Sequence, residues 1–308
     1  MSYVVSFSGS ERVGLWSGVE LTDETTVLGT RTIIDVSMTA VDYPRATWRL
    51  LRSAPADGAT NMAVDEAILR RVAAGRVLPT LRLYAWDPAC LSLGRAQRVA
   101  DVDLESLRAS GFDLVRRPTG GKAILHVDEL TYSVVVPQEE PCVAGGIVES
   151  YRRLSVGLIR GLHRLGVANL FADQQADGRL SESPVCFEVP SDYEITAGGR
   201  KLVGSAQMRA QGVVLQHGAL PLWGDITRIC PLLSARPDQG QVRARATTVE
   251  EVLGRSVTWD DAADAVGAGF AEALNLNLEL GDLTEKERVW AEGLRADKYA
   301  TDDWTRRV

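Results

Sequence analysis

The sequence has few of the residues that mark several large classes of protein. Its 308 residues include only 4 cysteines and 3 histidines. No apolar run approaches the roughly 18 residues that a membrane-spanning helix needs. Lysine and arginine (34) do not outnumber aspartate and glutamate (41), and the net charge is −7. Neither a membrane nor a nucleic acid is therefore an expected partner.

The cysteines are spread along the chain as Cys90, Cys142, Cys186 and Cys230. They form no C-x-x-C pair and have no histidine at metal-binding spacing, so no metal site is expected. The N-terminus lacks the basic start and the long apolar core of a signal peptide. Free thiols without such a leader favour a cytoplasmic location.

The residues that are present describe a folded protein, with 45% hydrophobic and 24% charged side chains. Runs of strands are interrupted by single helices, which predicts an α+β fold with mixed β-sheets flanked by helices. We expect three regions. Residues 1–45 form a Ser-, Thr- and Gly-rich extension that is strand-prone or poorly ordered, residues 46–280 form the main domain, and residues 281–308 form a helical tail packed on it.

Periodicity and turn residues predict the individual elements. Strands are expected at 48–52, 81–86, 90–93, 112–117, 123–126, 130–136, 193–196, 201–203 and 213–217. Helices are expected at 61–74, 104–110, 147–165, 248–253, 259–274 and 285–297.

Residues 116–126 are the first segment that could carry chemistry. A strand runs into a Pro-Thr-Gly-Gly turn and leaves as another strand. Gly120 and Gly121 let the backbone approach a ligand and expose amide donors. Arg116 and Arg117 must point to opposite faces, so at most one of them faces a given site. The alternative is an ordinary hairpin turn with solvated arginines.

Cys186 follows a proline in a stretch without a regular period, which indicates a loop. A nucleophilic cysteine needs a neighbouring cation or base that lowers the pKa of its thiol. One possible cation is Lys201, which begins a strand after the Gly198-Gly199 turn. The alternatives are a buried structural thiol and an exposed lysine.

Small residues follow Lys201 at Gly204, Ser205 and Ala206, and a strand of small residues lets a ligand lie against it. His126 and His217 end apolar strands, where a structural role is the ordinary interpretation. A histidine–cysteine pair is nevertheless a second way to activate Cys186.

Several of these segments together resemble a known family. Residues 61–67 (Asn-Met-Ala-Val-Asp-Glu-Ala), 116–126, 185–187 (Val-Cys-Phe) and 199–207 are similar, in this order, to motifs of the biotin/lipoate protein ligase family. The late Lys-Tyr and Trp of residues 298–304 match the family's closing signature. The resemblance runs from Trp48 to the C-terminus and implies that family's catalytic domain for residues 46–280.

The family contains two chemistries. Its ligases use ATP to make a lipoyl-adenylate, whereas its octanoyltransferases take an octanoyl group from acyl carrier protein through a cysteine thioester. Here Lys122 stands where ligases tend to have a third glycine, and residues 129–133 replace a Gly-Asn pair. Cys186 occupies the position of the transferase nucleophile. The resemblance therefore implies octanoyl transfer from octanoyl-acyl carrier protein to a lysine of a lipoyl domain, such as glycine cleavage H protein or an E2 subunit.

The resemblance also implies roles for residues. Cys186 and Lys201 are expected to be catalytic, and no cofactor is expected unless the protein is a ligase, which would need ATP and magnesium. Three alternatives stay open: an ATP-dependent lipoate ligase, an amidotransferase between lipoyl domains, and a non-catalytic acyl-binding module. The residues expected to bind substrate are Arg116, Arg117, Thr119, Gly120, Gly121, His126, Gly204, Ser205 and Ala206.

The net charge raises a further question, because acyl carrier proteins and lipoyl domains are usually acidic. Attraction must then come from a local basic surface rather than from the whole molecule. The basic residues expected around the site are Arg116, Arg117, Lys122, Arg152, Arg153, Arg200 and Lys201.

Overall fold

The computed structural model describes residues 43–173 and 194–308. Nearly all of the predicted N-terminal extension and the whole segment around Cys186 fall outside these ranges. Within the described ranges, no helix is long and apolar enough to cross a membrane.

Eleven strands are seen in the described residues. In chain order they are β1 (Ala46–Arg52), β2 (Thr80–Tyr84), β3 (Cys90–Leu93), β4 (Asp113–Arg116), β5 (Ile124–His126), β6 (Glu129–Pro137), β7 (Leu170–Asp173), β8 (Glu194–Ala197), β9 (Arg200–Ala210), β10 (Val213–Pro221) and β11 (Leu276–Gly281).

The same ranges contain eight α-helices, two 3₁₀ turns at Val99–Asp101 and Ile226–Leu232, and a π-helical turn at Arg295–Tyr299. The α-helices are α1 (Gly58–Ala73), α2 (Leu104–Ala109), α3 (Ile147–Arg164), α4 (Gln239–Arg245), α5 (Val249–Leu253), α6 (Trp259–Ala273), α7 (Glu285–Leu294) and α8 (Asp302–Thr305).

The strands form two sheets. The large sheet has the order β11-β1-β2-β6-β10-β9-β8-β7 and the small sheet has the order β4-β3-β5. In the large sheet β11, β1 and β2 are parallel, and every pairing from β2 onwards is antiparallel. This mixed arrangement confirms the α+β prediction.

Alternation along the central strands separates the two faces of the large sheet. Tyr132 and Val134 of β6 pack with α3 and α6 on one face. Val135 of β6 and Leu215 of β10 pack with α1 on the other face. Polar side chains two positions away along the same strands therefore also point toward α1, where they form the candidate site.

Helices α3 and α6 pack unusually close together. A Cβ placed on Gly269 would lie only 2.3 Å from the backbone nitrogen of Gly161. Glycine is required at this crossing because any larger residue would push the helices apart and open the core beneath them.

The C-terminal tail packs on α1. Arg49 of β1 donates two hydrogen bonds to the buried Glu287 of α7, at 2.6 and 2.9 Å. Glu66 of α1 accepts from Lys298 Nζ and from Tyr299 OH, each at 2.6 Å. These buried charge-assisted bonds fix residues 285–299 against the domain.

Most predicted elements exist, and the errors have physical causes. The strand predicted at 201–203 is much longer, because β9 continues to Ala210 and turns at Gln211 and Gly212, which have φ of 54° and 73°. Gln-Gly is a weak turn signal compared with Asn-Gly or Asp-Gly. The prediction missed β7, α4, β11 and α8.

Candidate functional site

A narrow cavity lies between α1, the large sheet and the small sheet. The free space that it encloses is small, about 20 Å³, which is room for a single water molecule. Its wall is formed by Met62, Tyr84, Trp86, Ser92, Arg117, Ile124, His126, Thr131, Gly204, Ala206, His217, Gly218 and Ala219.

One chain of hydrogen bonds ties together polar groups of the cavity wall. Arg117 Nη1 donates to Ser92 Oγ at 3.0 Å, and Ser92 Oγ lies 2.8 Å from His126 Nε2. His126 Nδ1 lies 2.8 Å from Glu129 Oε1. An ionised carboxylate only accepts hydrogen bonds, so the Nδ1 nitrogen carries the proton.

Trp86 closes the same network from the other side. Its ring stacks on His126 with centroids 4.0 Å apart and planes at 13°. Its Nε1 donates to Thr131 Oγ1 at 2.7 Å, and Thr131 in turn donates to Glu129. Every one of these polar side chains therefore has a protein partner.

A second chain of hydrogen bonds joins Asp65, His217 and Thr119. His217 Nδ1 lies 3.2 Å from Asp65 Oδ2, and His217 Nε2 lies 2.7 Å from Thr119 Oγ1. The arrangement has the order of a catalytic triad. Thr119, however, is fully buried and does not line the cavity. Its hydroxyl anchors the 118–122 turn to the large sheet.

The pKa values of Asp65 and His217 in this second chain are both lowered, for different reasons. Burial alone would raise the pKa of Asp65, but the hydrogen bond from His217 and the charge of Arg82 outweigh it and lower that pKa. Burial lowers the pKa of His217, and the attraction of Asp65 does not reverse this. His217 is then neutral, its Nδ1–H donates to Asp65, and its Nε2 accepts from Thr119.

The two chains of hydrogen bonds limit the kinds of ligand that the cavity can bind. Because the polar groups in its wall are bonded to one another, few donors or acceptors remain for a ligand. The rest of the wall is apolar or made of glycine and alanine. The cavity suits a narrow hydrocarbon chain better than a polar molecule.

Among the predicted substrate-binding residues, Arg117, His126, Gly204 and Ala206 line this cavity, and Ser205 does not. Gly204 and Ala206 pair with Ala219 and His217 of β10 and face the same side. Ser205 points to the opposite face, where its Oγ lies 2.7 Å from Tyr132 OH. Ser205 does not share this cavity with Gly204 and Ala206 because adjacent strand residues face opposite ways.

Arg116 does not line this cavity. Its side chain is completely buried, and its guanidinium donates to the carbonyls of Gly94, Gln97 and Thr305 at 2.5–3.0 Å. It holds together the 94–97 loop, the end of β4 and the C-terminal tail.

Gly120 and Gly121 lie at the exposed surface of the turn, and neither lines the cavity. The Gly120 carbonyl accepts from Arg117 Nη2 at 2.8 Å. Gly121 has a φ of 92°. Its carbonyl packs closely against Gly94, because a Cβ placed on Gly94 would lie 1.9 Å from the Gly121 carbonyl oxygen. These glycines shape the turn rather than form a cradle for a ligand.

Lys201 is buried, with a side chain 3% exposed, and forms an ion pair with Glu194. It is not part of the cavity wall. A register shift between β8 and β9 leaves Leu202 unmatched between Lys201 and Val203. Such a bulge redirects side chains, so the direction of Lys201 does not follow from that of Gly204.

Cys186 lies outside the described residues. The three cysteines that are described are all buried. Burial raises the pKa of Cys90 well above its usual value and that of Cys142 to about 12. These two thiols stay protonated near neutral pH and are poor nucleophiles.

Of the seven residues predicted for the basic surface, three are buried, and Lys122, Arg152, Arg153 and Arg200 are at least partly exposed. Arg116, Arg117 and Lys201 are buried and hydrogen-bonded within the protein. Arg200 is half-exposed but pairs with Glu251 at 2.7 Å. Among the residues of segment 116–122 that were predicted for the basic surface, only Lys122 has a partly exposed side chain.

Sequence reasoning missed Met62, Trp86 and Ser92 as parts of the cavity wall. Each sits in an ordinary helix or strand pattern, and only the packing of three elements brings them together. In the described residues, no group of three or more His, Cys, Asp or Glu side chains is placed to hold a metal ion.

Comparisons with known proteins agree with this geometry. Two curated relatives are named Octanoyltransferase LipM. The one from Kyrpidia tusciae is 46% identical over 272 residues, covering 85% of this chain and 99% of its own. The one from Symbiobacterium thermophilum is 44% identical over 271 residues, covering 84% and 98%.

A solved structure of similar fold comes from an archaeal lipoylation system. It is described as a bi-partite lipoate protein ligase and its E2 lipoyl domain from Thermoplasma acidophilum. The match has a TM-score of 0.71 and 26% identity, and covers 85% of this chain and 96% of that one.

A family model, described as the lipoyl protein ligase A/B catalytic domain, matches residues 57–271. This range contains the whole cavity wall and Lys201. The chain belongs to the lipoyl protein ligase A/B catalytic domain family.

Proposed function

We propose that this protein is an octanoyltransferase that moves an octanoyl group from octanoyl-acyl carrier protein to a lysine of a lipoyl domain. The observation that carries the proposal is the narrow cavity, whose polar wall groups are satisfied by one another. An apolar wall of this kind favours an alkyl chain over a polar ligand, and the relatives at 44–46% identity are named as octanoyltransferases.

In the first step the Cys186 thiolate attacks the carbonyl carbon of the donor thioester. A new C–S bond forms, the bond to the carrier's sulfur breaks, and the carrier leaves as a thiol after taking a proton. Cys186 is the cysteine assigned to this step because Cys90, Cys142 and Cys230 are all buried. The exchange is close to neutral in energy, so the proposed reaction uses no nucleotide and no metal.

We assign Lys201 as the cation that supports Cys186. Lys201 pairs with Glu194, and Glu194 directly follows the segment that contains Cys186. A positive charge near a thiol favours the thiolate, and the same charge stabilises the oxyanion that forms when the carbonyl is attacked.

In the second step the lysine amine of the acceptor attacks the octanoyl-cysteine thioester. An amide bond forms, the C–S bond breaks, and the Cys186 thiolate is regenerated while the amine loses a proton. Conversion of a thioester into an amide is downhill and drives the cycle. We propose glycine cleavage H protein or an E2 subunit as acceptor, and the cytoplasm as the location, because thiols stay reduced there.

The cavity explains why the acyl chain is of medium length. Burial of each methylene contributes about 0.8 kcal/mol of binding free energy. Each carbon that fits against the apolar wall therefore strengthens binding, and a carbon that does not fit adds nothing.

The second candidate is an ATP-dependent lipoate ligase, because the structural relative from Thermoplasma acidophilum is described as a lipoate protein ligase. An amidotransferase that moves octanoyl between lipoyl domains is a further variant that uses the same cysteine. The three differ in donor and in ATP requirement.

One assay separates them. The purified protein and an unmodified lipoyl domain are incubated with octanoyl-acyl carrier protein, with octanoate plus ATP, or with an octanoylated second lipoyl domain. We expect octanoylation of the acceptor from the carrier donor without ATP, and none by Cys186→Ser. Modification only with free acid and ATP would replace the proposal with the ligase, and modification only from the second lipoyl domain would replace it with the amidotransferase.

A further inference from the structure

The surface next to the 118–122 turn carries a group of cations that the sequence patterns did not single out. Three segments meet there: the loop after β3, the turn itself and the C-terminus. Arg95 N donates to the Thr119 carbonyl at 2.8 Å, and Val99 N donates to the Val308 carbonyl at 2.9 Å. Arg307 Nη2 donates to the Arg95 carbonyl at 3.2 Å.

The junction presents four cationic side chains. Arg95, Arg98 and Arg307 are exposed, and Lys122 is half-buried. Arg98 pairs weakly with Asp101 at 3.4 Å, with 74% of its side chain exposed. Within the described residues no ion pair holds Arg95, Lys122 or Arg307. We call Arg95, Arg98, Lys122 and Arg307 the basic junction.

These cations stand close to one another in a molecule whose net charge is −7. Burial and the charge of Arg95 together lower the pKa of Arg307. Burial and the charge of Arg307 lower that of Arg116. The fold thus maintains like-charge repulsion at this point, and an acidic partner would relieve it.

The basic junction lies directly beside the cavity. Arg98 and Lys122 line one groove together with Gln97 and Ser234. The Lys122 carbonyl accepts from Arg117 Nη2 at 2.7 Å, and Arg117 forms part of the cavity wall. One turn therefore separates the charged groove from the place proposed for the acyl chain.

We propose that the basic junction is the docking surface for the donor, an acidic carrier protein whose acyl group hangs on a flexible thiol arm. This inference rests on the proposed function. Because the whole molecule repels an acidic partner, the local positive field must dominate within a Debye length, about 8–10 Å at physiological salt. Such a field mainly raises the rate of association.

The test uses the full-length protein and follows formation of the octanoyl-enzyme from two donors. One donor is octanoyl-acyl carrier protein, and the other is octanoyl-N-acetylcysteamine, a small uncharged thioester. The variant R95E/R98E reverses two exposed charges, and R95Q/R98Q only removes them. The control R76E/R288E makes the same reversal at exposed positions in the loop after α1 and on α7.

We expect R95E/R98E to load from the carrier at least about tenfold more slowly at low salt, with a flatter salt dependence. R95Q/R98Q should be affected less. Loading from the small thioester, and loading of the control from either donor, should stay close to wild type.

Equal loading of R95E/R98E and wild type from the carrier would overturn the docking surface alone. An equal loss with the small thioester would show damage to the turn and also overturn it. A loss confined to transfer onto the lipoyl domain would assign the surface to the acceptor instead. If the wild-type protein forms no octanoyl-enzyme from either donor, the proposed function fails and the docking surface with it.

Discussion

Thr119 Oγ1 lies 2.7 Å from His217 Nε2, and this contact joins the 118–122 turn to the central strand β10. His217 Nδ1 is held in turn by Asp65, which also accepts from Arg82, Tyr84 and Ser133. The 118–122 turn, which directly follows Arg117, is thus anchored through a buried, fully bonded network rather than through its glycines.

The first prediction concerns this anchor. Thr119→Val keeps the shape of the side chain but leaves His217 Nε2 buried without a donor, and an unsatisfied buried group costs about 1–3 kcal/mol. Urea denaturation should show a loss of that size, together with slower octanoyl-enzyme formation. Thr119→Ser, which keeps the hydroxyl, should retain most of the stability and most of the rate of octanoyl-enzyme formation. An equal loss of stability in the two variants would argue against the hydrogen bond.

The second prediction concerns pH. The folded state holds His217 neutral with a lowered pKa, whereas the unfolded chain protonates this histidine below about pH 6.5. The unfolded state then binds more protons, so stability should fall as the pH drops below about 6.5, by up to about 1.4 kcal/mol per pH unit for one group.

His217→Asn removes the titrating group and provides the comparison. The stability of wild type relative to this variant, measured between pH 8 and pH 5.5, should decline on the acid side. A constant difference would mean that folding does not shift the pKa of His217, and a rise on the acid side would mean that the folded protein holds His217 charged.

The third prediction concerns Arg116, which sequence reasoning placed in the substrate site. Because its guanidinium bonds three carbonyls in a buried position, Arg116→Lys should lower the free energy of unfolding by about 1–3 kcal/mol. The same change at the exposed Arg98 should have little effect. For the folded fraction, the KM for a small octanoyl thioester should not change. A large rise in KM would instead support a role for Arg116 in substrate binding.

The fourth prediction concerns the size of the cavity. Ala206→Leu places a larger side chain in its wall and removes room for about two methylenes, which corresponds to roughly tenfold in kcat/KM for octanoyl donors. Hexanoyl donors should be affected less. Ala210→Leu, on the same strand but outside the cavity, is the matched control. If both variants act alike, Ala206 does not set chain length.

The sequence was sufficient to predict the fold class and most elements, because apolar alternation and helical spacing are local properties. The small-residue pattern at Gly204 and Ala206 likewise indicated a strand against which a ligand lies, and both line the cavity. The pattern could not show which alternate residues face that cavity, and Ser205 faces the opposite side of the sheet.

The remaining errors arise from long-range packing. Arg116 bonds Thr305, which is 189 residues away in the chain, and no local pattern predicts that contact. Trp86, Ser92 and Met62 come from three elements that meet only in the folded protein. The basic junction was missed for the same reason, because Arg307 reaches Arg95 across 212 residues.

The central claim is that the acyl group passes through Cys186, and intact mass spectrometry tests it most directly. Wild-type protein incubated with octanoyl-acyl carrier protein without ATP should gain the mass of one octanoyl group. The adduct should map to Cys186, be released by hydroxylamine, and be missing in Cys186→Ala. An unmodified wild-type protein that nevertheless octanoylates a lipoyl domain, or an adduct that survives in Cys186→Ala, would contradict the account.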